Sequence, residues 1–176
     1  AYPTAERNIL LLNDRGTLVD STDASAPSLA TSGLVKGALW SDVNQDGWID
    51  LLVTHHWGPV RYFENHEGSL SDSTDRSGMQ SYQGLWNGIA GADVDNDGDI
   101  DYAVTNLGLN TKYHASKKKP FTMFYGDMDG SGKKRLIEAE YEGDKWYPVR
   151  GKSCSTLAMP SLKNKFPDFG SFAIAT

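Results

Sequence analysis

Apolar residues in this chain come in short runs, and each run ends in a polar or glycine-containing turn. The runs DLLVTHH and DYAVTN, which begin at residues 50 and 101, have the length and β-branched content typical of strands. The segments 8–23 and 60–75 each place two short runs around Asn and Gly, which predicts a β-hairpin in each. The pattern therefore predicts an all-β fold.

The hydrophobic pattern repeats along the chain. NILLLNDRGTLVDSTD at 8–23 aligns with VRYFENHEGSLSDSTD at 60–75, at an offset of 52 residues. GALWSDVNQDGWIDLLVT at 37–54 aligns with GIAGADVDNDGDIDYAVT at 88–105, at an offset of 51 residues. A unit of this length, built from short strands with their own turns, suits a blade of a β-propeller.

The repeat divides the chain into units, with about three blades in all. We expect the end of a blade at 1–32, a blade with an acidic loop at 33–84, a blade with two acidic loops at 85–152, and an irregular or helical tail at 153–176. The stretches 21–32 and 73–84 are interpreted as connections between units. Between 137 and 142 apolar residues alternate with glutamates, which predicts a half-buried strand whose acidic face is solvated.

Composition narrows the possible partners. The formal charge is −6, and ten of the 23 acidic residues fall in three short segments, 42–50, 93–101 and 127–135. This concentration points to cations, and it disfavours nucleic acid, whose phosphates require a basic surface. The longest aliphatic run, Ile9 to Leu12, is far shorter than the ~20 residues of a membrane-spanning helix, so no membrane insertion is expected. A single cysteine, Cys154, excludes an internal disulfide.

The acidic segments have the spacing of calcium loops. Alternate oxygen-bearing residues can converge on one hard cation, and glycine at the sixth position permits the sharp turn. The seventh position is Trp48 in one loop and Asp99 in the next, so it is expected to supply its backbone carbonyl. The predicted ligands are Asp42, Asn44, Asp46, the carbonyl of Trp48 and Asp50 in the first loop, and Asp93, Asp95, Asp97, the carbonyl of Asp99 and Asp101 in the second.

The EF-hand is the main alternative for these loops. It requires a glutamate at position twelve and helices on both sides, whereas position twelve is Val53 in the first loop and Val104 in the second. The third loop has the EF-hand spacing, with Glu138 at position twelve, but Arg135 replaces the acid at position nine and the flanking segments are typical of strands. It is interpreted as a weakened relative of the first two loops, with the EF-hand as the less favoured alternative. Its predicted ligands are Asp127, Asp129, Ser131 and the carbonyl of Lys133, and the basic residues could leave it without an ion.

These segments resemble a known family. DVNQDGWIDLLVT, DVDNDGDIDYAVTN and YFENHEGSLSDST are similar to FG-GAP/VCBS repeats, the blades of integrin-α-type β-propellers. NLGLNTKYHAS, the third loop and PSLKNKFPDFGSFA resemble the subgroup associated with ASPIC/UnbV domains and cartilage acidic protein. The resemblance implies four-stranded blades with structural Ca²⁺, a secreted, periplasmic or cell-surface location, and a role in adhesion or binding to an unknown protein or glycan.

Three blades are too few to close a ring. We therefore expect a fragment of a larger propeller, or self-association through open blade edges.

Two other functions are compatible with parts of the sequence. Five tryptophans and eight tyrosines could form a sugar-stacking surface, which would make the propeller lectin-like. A polysaccharide-active enzyme is less favoured, since no catalytic motif is present and the only candidate carboxylates, Glu138, Glu140 and Glu142, are expected to be a solvated row. The adjacent His55 and His56 should point to opposite faces of a strand and so should not share a metal.

Overall fold

The structure is a computed structural model that describes residues 5–108 and 110–174. Antiparallel strands make up most of its regular structure, with a few short helices, so the predicted all-β fold is confirmed. The described residues form two compact units, one ending at Asn110 and the other beginning at Thr111.

The first unit contains most of the strands. Its elements are β1 (Leu11–Asp14), β2 (Thr17–Asp20), α1 (Thr22–Ser25), α2 (Pro27–Ala30), β3 (Leu34–Ser41), β4 (Asp50–Gly58), β5 (Arg61–His66), β6 (Ser69–Asp72), a 3-10 turn (Met79–Ser81), β7 (Gly84–Ala92) and β8 (Asp101–Asn106). From β3 to β6, each strand pairs antiparallel with the next, which gives a meander. β7 and β8 form a second antiparallel pair. The first acidic loop joins β3 to β4, and the second joins β7 to β8.

The core of this unit is centred on β4. Leu51, Leu52 and Val53 are all buried, although they are consecutive and must therefore face both sides of the sheet. Phe63 of β5 lies opposite Leu51 and is fully buried. Burying each of these side chains contributes about 1.5–3 kcal/mol, so β4 and β5 fix the position of the first loop.

The predicted hairpins are present, and their turns are alike. Gly16 and Gly68 have positive φ angles of 94° and 92°, and the residue before each glycine is also left-handed. Two consecutive residues with positive φ define the type I′ turn, whose twist suits a two-residue hairpin. The side chain of Asn13 accepts a hydrogen bond from the Gly16 amide at 2.7 Å, and Asn65 accepts one from Gly68 at 2.9 Å.

The repeat is also a repeat of hydrogen bonds. After the β1–β2 hairpin, the Thr22 hydroxyl donates to Asp20 at 2.6 Å and accepts from the Leu10 amide at 2.8 Å. The hydroxyl of Thr74 donates to Asp72 at 2.6 Å in the same way after the β5–β6 hairpin. The β1–β2 hairpin is therefore the structural equivalent of the β5–β6 hairpin.

The connection after the first hairpin has more regular structure than its composition suggested. It folds into α1 and α2, and Pro27 occupies the first turn of α2, where a missing amide proton does no harm. Ala26 and Leu29 are buried in the core cluster. Tertiary burial of these two residues therefore organises a segment whose serines and alanines predicted only a connection.

The second unit carries the third loop. Its elements are β9 (Thr122–Gly126), β10 (Arg135–Glu142), β11 (Lys145–Pro148), α3 (Lys152–Ala158), α4 (Leu162–Lys165) and α5 (Phe169–Ala173). β10 pairs antiparallel with both β9 and β11, and the third loop connects β9 to β10. The short helices confirm the expected helical tail. Within the described ranges, no helix is both long enough and apolar enough to cross a membrane.

The expected solvated row of glutamates on β10 is wrong at one position. Glu138 is only 5% exposed, and the next residue, Ala139, is buried as well. The Tyr113 hydroxyl donates to Glu138 at 2.9 Å, and Arg150 lies 3.6 Å from the other carboxylate oxygen. Because these two side chains supply partners for the carboxylate, the charge is tolerated inside, and the alternation predicted for this strand fails.

Candidate metal-binding loops

All three acidic loops close in the same way. The carboxylate of the first residue accepts a hydrogen bond from the backbone amide of the glycine at the sixth position. The donor–acceptor distances are 2.9 Å for Asp42 and Gly47, 3.1 Å for Asp93 and Gly98, and 2.8 Å for Asp127 and Gly132. These bonds curl each loop around its first carboxylate.

The fourth position of each loop is left-handed, a feature that the ligand spacing did not predict. The φ angle is 58° at Gln45, 61° at Asn96 and 70° at Gly130, in addition to the positive φ of the glycine at position six. Asn and Gly adopt this conformation at low energy, and Gln45 bears a modest strain. A polar residue or glycine recurring two positions before the turn glycine was the signal available in the sequence.

In the first loop, the protein itself fixes the ninth residue. Asp50 is fully buried. One of its oxygens accepts from the amide of Val43 at 2.9 Å and from the hydroxyl of Tyr62 at 3.1 Å, and the other accepts from the amide of Asn65 at 2.7 Å. Burial, together with the nearby Asp50 charge, raises the pKa of Tyr62, so its hydroxyl keeps its proton and remains a donor.

Glu64 of β5 is a functional candidate that sequence reasoning missed. It is 6% exposed, and it accepts hydrogen bonds from Asn44 at 3.2 Å and from Ser73 at 2.8 Å. Arg76 approaches the same carboxylate at 3.1 Å. The Ser73 bond, followed by the Asn44 bond, lowers the pKa of Glu64, which keeps it ionised. An acid within the largely apolar run VRYFEN was the only signal in the sequence.

The contact with Glu64 orients the side chain of Asn44. The Asn44 amide nitrogen also donates to Asp46 at 2.9 Å, and its oxygen accepts from the Asp46 backbone at 3.1 Å. The carboxylates of Asp46 and Glu64 thus both accept from the side-chain nitrogen of Asn44. The side-chain oxygen of Asn44 therefore faces the loop backbone. Asn44 has the orientation that an oxygen ligand at position three needs.

Three carboxylates of the second loop lie close together. Carboxylate oxygens of Asp93, Asp95 and Asp101 all lie within 4.8 Å of one another. Oxygens that bind one Ca²⁺ at 2.3–2.6 Å are at most about 5 Å apart, so the spacing fits that ion. Oδ1 of Asp93 is buried and has no hydrogen-bond partner, which is expensive for a carboxylate unless a cation occupies the space beside it.

Other predicted ligands of the second loop have different roles. Asp97 accepts from the amide of Asp99 at 2.9 Å and does not belong to the group of three. The Asp99 carboxylate accepts a hydrogen bond from the side chain of Gln45 in the first loop. The equivalent Trp48 is 45% exposed. The Asp99 carboxylate thus has a partner outside its own loop, and the indole of Trp48 is not an oxygen ligand, which agrees with a backbone role for position seven.

The comparisons with known proteins give one result. A model of the FG-GAP-like repeat family matches residues 42–104. The chain carries an FG-GAP-like repeat. Such repeats are β-propeller blades, so the β3–β6 meander is a blade and β7–β8 begins the next one. No curated protein and no solved structure matches significantly. The match ends before the third loop, and the narrower resemblance to the ASPIC/UnbV-associated subgroup stays a prediction.

The acidic side chains of the first loop of the FG-GAP-like repeat lie further apart than those of the second. Among the described residues, only the Asp93 group brings three acidic or imidazole side chains within the ligand distance, so Asp42, Asp46 and Asp50 do not form such a group. Asp50 is held instead by backbone and phenol donors. The first loop therefore has more built-in hydrogen bonding and less concentrated charge than the second.

The third loop, beyond the matched repeat, shares the turn but not the charge. Ser131 donates its backbone amide to Asp127 at 3.1 Å and to Asp129 at 3.2 Å, and the Ser131 hydroxyl contributes most to lowering the pKa of Asp129. Arg135, at position nine, has a buried Nε without a hydrogen-bond partner. The strands β9 and β10 flank this loop, so the EF-hand alternative is wrong. Lys133, whose backbone carbonyl is the predicted ligand at position seven, directly follows the turn glycine Gly132.

The two histidines after the first loop have different hydrogen-bond partners. His55 is buried, with Nδ1 at 3.2 Å from the carbonyl of Pro59 and Nε2 at 3.3 Å from the hydroxyl of Ser32. Because a carbonyl only accepts, Nδ1 carries the proton and Nε2 accepts from Ser32. Burial lowers the pKa of His55 to about 4, so the ring is neutral. His56 instead contacts Asn87 at 2.8 Å.

Proposed function

We propose that this FG-GAP-like β-propeller segment binds Ca²⁺ at its first two acidic loops and that the ion is structural. The observation that carries the proposal is the second loop. Asp93, Asp95 and Asp101 converge there, and one buried oxygen of Asp93 has no partner. An ion at this point would neutralise the carboxylates and tie the loop to β7 and β8.

The donor set favours calcium over other common ions. Every side-chain ligand predicted in the first two loops is a carboxylate or an amide oxygen. Zinc and copper sites usually include imidazole or thiolate, and neither group lies in these loops. Mg²⁺ is smaller and usually retains several waters, so it uses fewer carboxylates than the second loop supplies.

The affinities of the three loops should differ. The second loop is expected to bind through Asp93, Asp95, Asp97, Asp101 and the carbonyl of Asp99, and the first through Asp42, Asn44, Asp46, Asp50 and the carbonyl of Trp48. The third loop offers Asp127, Asp129, Ser131 and the carbonyl of Lys133. The positive charge of Arg135 stands where the other loops have their last acid, so we expect little or no binding there.

We assign the propeller segment a role as an extracellular binding or adhesion module. Calcium sites of extracellular modules work at millimolar concentrations of the ion, which secreted, periplasmic or cell-surface proteins encounter. The net charge of −6 disfavours nucleic acid as the partner and leaves a protein or a glycan.

Carbohydrate binding is a second candidate function. Trp40 and Trp48 are 51% and 45% exposed, and Tyr82 is 55% exposed. Exposed aromatic rings offer flat apolar faces on which sugars stack. A glycan array tests this function, with Trp48→Ala as the variant that should lose any signal. An array without bound glycans would reject it.

Isothermal titration calorimetry of the chelator-treated chain with Ca²⁺ tests the calcium proposal. We expect two ions per chain, with one lost in Asp93→Asn and one lost in Asp42→Asn. The matched control is Asp127→Asn, which changes the first acid of the third loop and should leave both ions in place.

Thermal melting provides a second readout, because an ion that binds only the folded chain raises the melting temperature. The same titration with Mg²⁺ measures selectivity. Absence of heat and identical melting curves in Ca²⁺ and chelator would refute calcium binding.

A further inference from the structure

The first and second acidic loops touch each other through side chains. Nε2 of Gln45, at position four of the first loop, donates a hydrogen bond to the carboxylate of Asp99, at position seven of the second. The hydroxyls of Ser41 and Tyr102 form a second hydrogen bond at 2.6 Å. The bonded residues are 54 and 61 positions apart in the chain, so both bonds connect one repeat to the next.

The strands beside the loops hold these contacts in place. A Cβ atom on Gly37 of β3 would lie 3.3 Å from the carbonyl oxygen of Asn87 and 3.7 Å from Cα of Gly88, so β3 and β7 approach closely. β4 also pairs with β7, through His56 and Leu85. Since one sheet carries both loops, the backbone fixes their relative position.

Gln45 and Asp99 connect the two predicted sets of ligands. Gln45 stands between Asn44 and Asp46, the predicted ligands at positions three and five of the first loop. Asp99 is expected to bind through its carbonyl, and its amide donates to the carboxylate of Asp97 at 2.9 Å. A movement of Asp99 within the second loop therefore displaces the acceptor that holds Gln45 in the first.

The second contact joins the two loops at their bases. Ser41 precedes Asp42, the ligand predicted at position one of the first loop, and Tyr102 follows Asp101, the ligand predicted at position nine of the second. This hydrogen bond is partly buried, whereas the bond between Gln45 and Asp99 is exposed. Water competes less with a partly buried bond, so the base of each loop is the more firmly connected part.

The backbone of Gln45 gives its side chain a reason to be long. Its φ angle is 58°, in the left-handed region, where Asn96 and Gly130 stand at the same position of the other two loops. Asn and Gly adopt this conformation at lower energy than Gln. The first loop thus has the less suitable residue for its turn, and that residue reaches the neighbouring loop.

We propose that the first and second loops bind Ca²⁺ cooperatively, through the contacts of Gln45 with Asp99 and of Ser41 with Tyr102. This inference rests on the calcium binding proposed above. When one loop becomes ordered, its side of both contacts is fixed, so the other loop loses less conformational entropy on binding. Coupling is reciprocal, so each ion should strengthen the binding of the other by the same factor, about fivefold.

Repulsion between the two ions acts in the opposite direction. The first loop contains three aspartates and the second five, so each loop keeps a net negative charge after taking up one Ca²⁺. Interactions between exposed charges are also screened beyond about 8 Å at physiological ionic strength. Hydrogen-bond contacts are not screened in this way, so we expect positive coupling that increases when salt is added.

Isothermal titration calorimetry of the chelator-treated chain measures the coupling. Asp42→Asn leaves only the second site, and Asp93→Asn leaves only the first. Each remaining site should bind Ca²⁺ about fivefold more weakly than the same site does in the unmodified chain when the other loop is loaded. The factor should be equal for both sites. A substitution that alters only one loop's own affinity leaves this factor unchanged.

Variants of the contact residues separate coupling from ligand binding. Asp99→Ala removes the acceptor of Gln45 but keeps the backbone carbonyl, so both ions should bind with a coupling factor close to one. Asp99→Asn is the matched control, because it loses the same charge but keeps an acceptor oxygen, and its coupling should persist. Gln45→Asn suits the left-handed backbone but is too short for the contact, and together with Tyr102→Phe it should abolish the coupling.

Hydrogen exchange detects the same coupling without an affinity measurement. In Asp93→Asn, whose second site is disabled, addition of Ca²⁺ should slow exchange of the amides in 93–101 severalfold, because the loaded first loop holds Asp99 through Gln45. Adding Gln45→Asn and Tyr102→Phe to this variant should abolish the slowing. Unchanged exchange in 93–101 of Asp93→Asn would contradict the coupling.

The outcomes distinguish this inference from the calcium proposal on which it rests. Two ions that bind with affinities independent of each other would overturn the coupling and leave calcium binding intact. Full coupling in Asp99→Ala, or in Gln45→Asn with Tyr102→Phe, would overturn the assigned contacts. Absence of heat at both loops would refute calcium binding, and cooperative binding with it.

Discussion

The first and second acidic loops share one backbone turn, but different interactions hold their ninth carboxylates. Asp50 is buried and accepts hydrogen bonds from two backbone amides and a phenol. Asp101 is exposed and accepts from the amide of Val94 at 2.9 Å. The first loop is part of a complete blade, whereas the second precedes a strand at a sheet edge.

The two loops therefore differ in how much of their shape comes from the protein's own hydrogen bonds and how much would come from a bound ion. The complete blade supplies the donors that shape the first loop, so the proposed ion would mainly compensate charge there. The second loop has a carboxylate at every odd position and fewer protein donors, so the proposed ion would contribute more to its order. Position in the blade thus decides how much of each loop's stability is its own.

The largest expected difference concerns the ninth residues. Asp50→Ala should reduce the free energy of unfolding by about 3–4 kcal/mol in chelator, because it leaves buried donors without an acceptor. Asp101→Ala should lower it by less than about 1 kcal/mol in chelator, because its site is exposed. Urea unfolding of both variants measures the difference. Equal losses in chelator would mean that the two loops are held alike.

Removal of calcium should affect the second loop more than the first. At an ion concentration 100-fold above its dissociation constant, binding stabilises a site by about 2.7 kcal/mol. Chelation should therefore accelerate hydrogen exchange of the amides in 93–101 by up to about 100-fold. The amides in 42–50 should change less, and those in 127–135 should not change. If chelation accelerated exchange only in the first loop, the prediction that calcium matters more to the second loop would be wrong.

Acidification should destabilise the first repeat more than the second. His55 lies in the first repeat, and the equivalent position in the second repeat is Asn106, which does not titrate. The pKa of His55 is lowered from 6.5 to about 4, so between these values the unfolded chain binds a proton that the native chain does not. Stability should thus be lost as pH falls from 6.5 towards 4, by about 2 kcal/mol.

Urea unfolding at pH 7 and pH 4.5 measures this loss. His55→Gln should flatten the pH dependence, while the carboxylates common to both proteins cancel in the difference. An unchanged slope in this variant would exclude His55 as the titrating group.

The smallest effect is expected at Glu64, which has no acidic equivalent in the second repeat. Glu64→Gln should weaken calcium binding at the first loop severalfold, or about 1 kcal/mol, because Asn44 loses a charged partner that orients its amide. Binding at the second loop should be unchanged. The matched control is Glu67→Gln, an exposed acid on the adjacent turn. Calorimetry resolves the two sites, and an effect on both would indicate general electrostatics instead of positioning.

Local features of the sequence predicted much of the fold. The hairpins were predictable because Asn and Gly in their turns specify the backbone directly. The loop positions were predictable because alternate acids and a turn glycine repeat at a fixed offset. The strand after each loop was predictable from its β-branched content, and the helical tail from its composition between prolines.

The missed features depend on tertiary contacts. Glu64 and Glu138 are buried carboxylates whose hydrogen-bond donors are distant in the sequence, namely Asn44 for Glu64 and Tyr113 for Glu138. The helical turns of α1 and α2 depend on the burial of Ala26 and Leu29. No local pattern specifies these partners, since each arises from packing between elements.

The turn of the third loop has the same hydrogen bond as the turns of the first two loops. Gly130 and Gly132 are left-handed, and Asp127 still accepts from the Gly132 amide, although Arg135 stands at the ninth position. The third loop is thus a well-formed connector between two strands although its ninth residue is basic. The shape of an acidic loop is set by its first carboxylate and its glycines, separately from the charge at its ninth position.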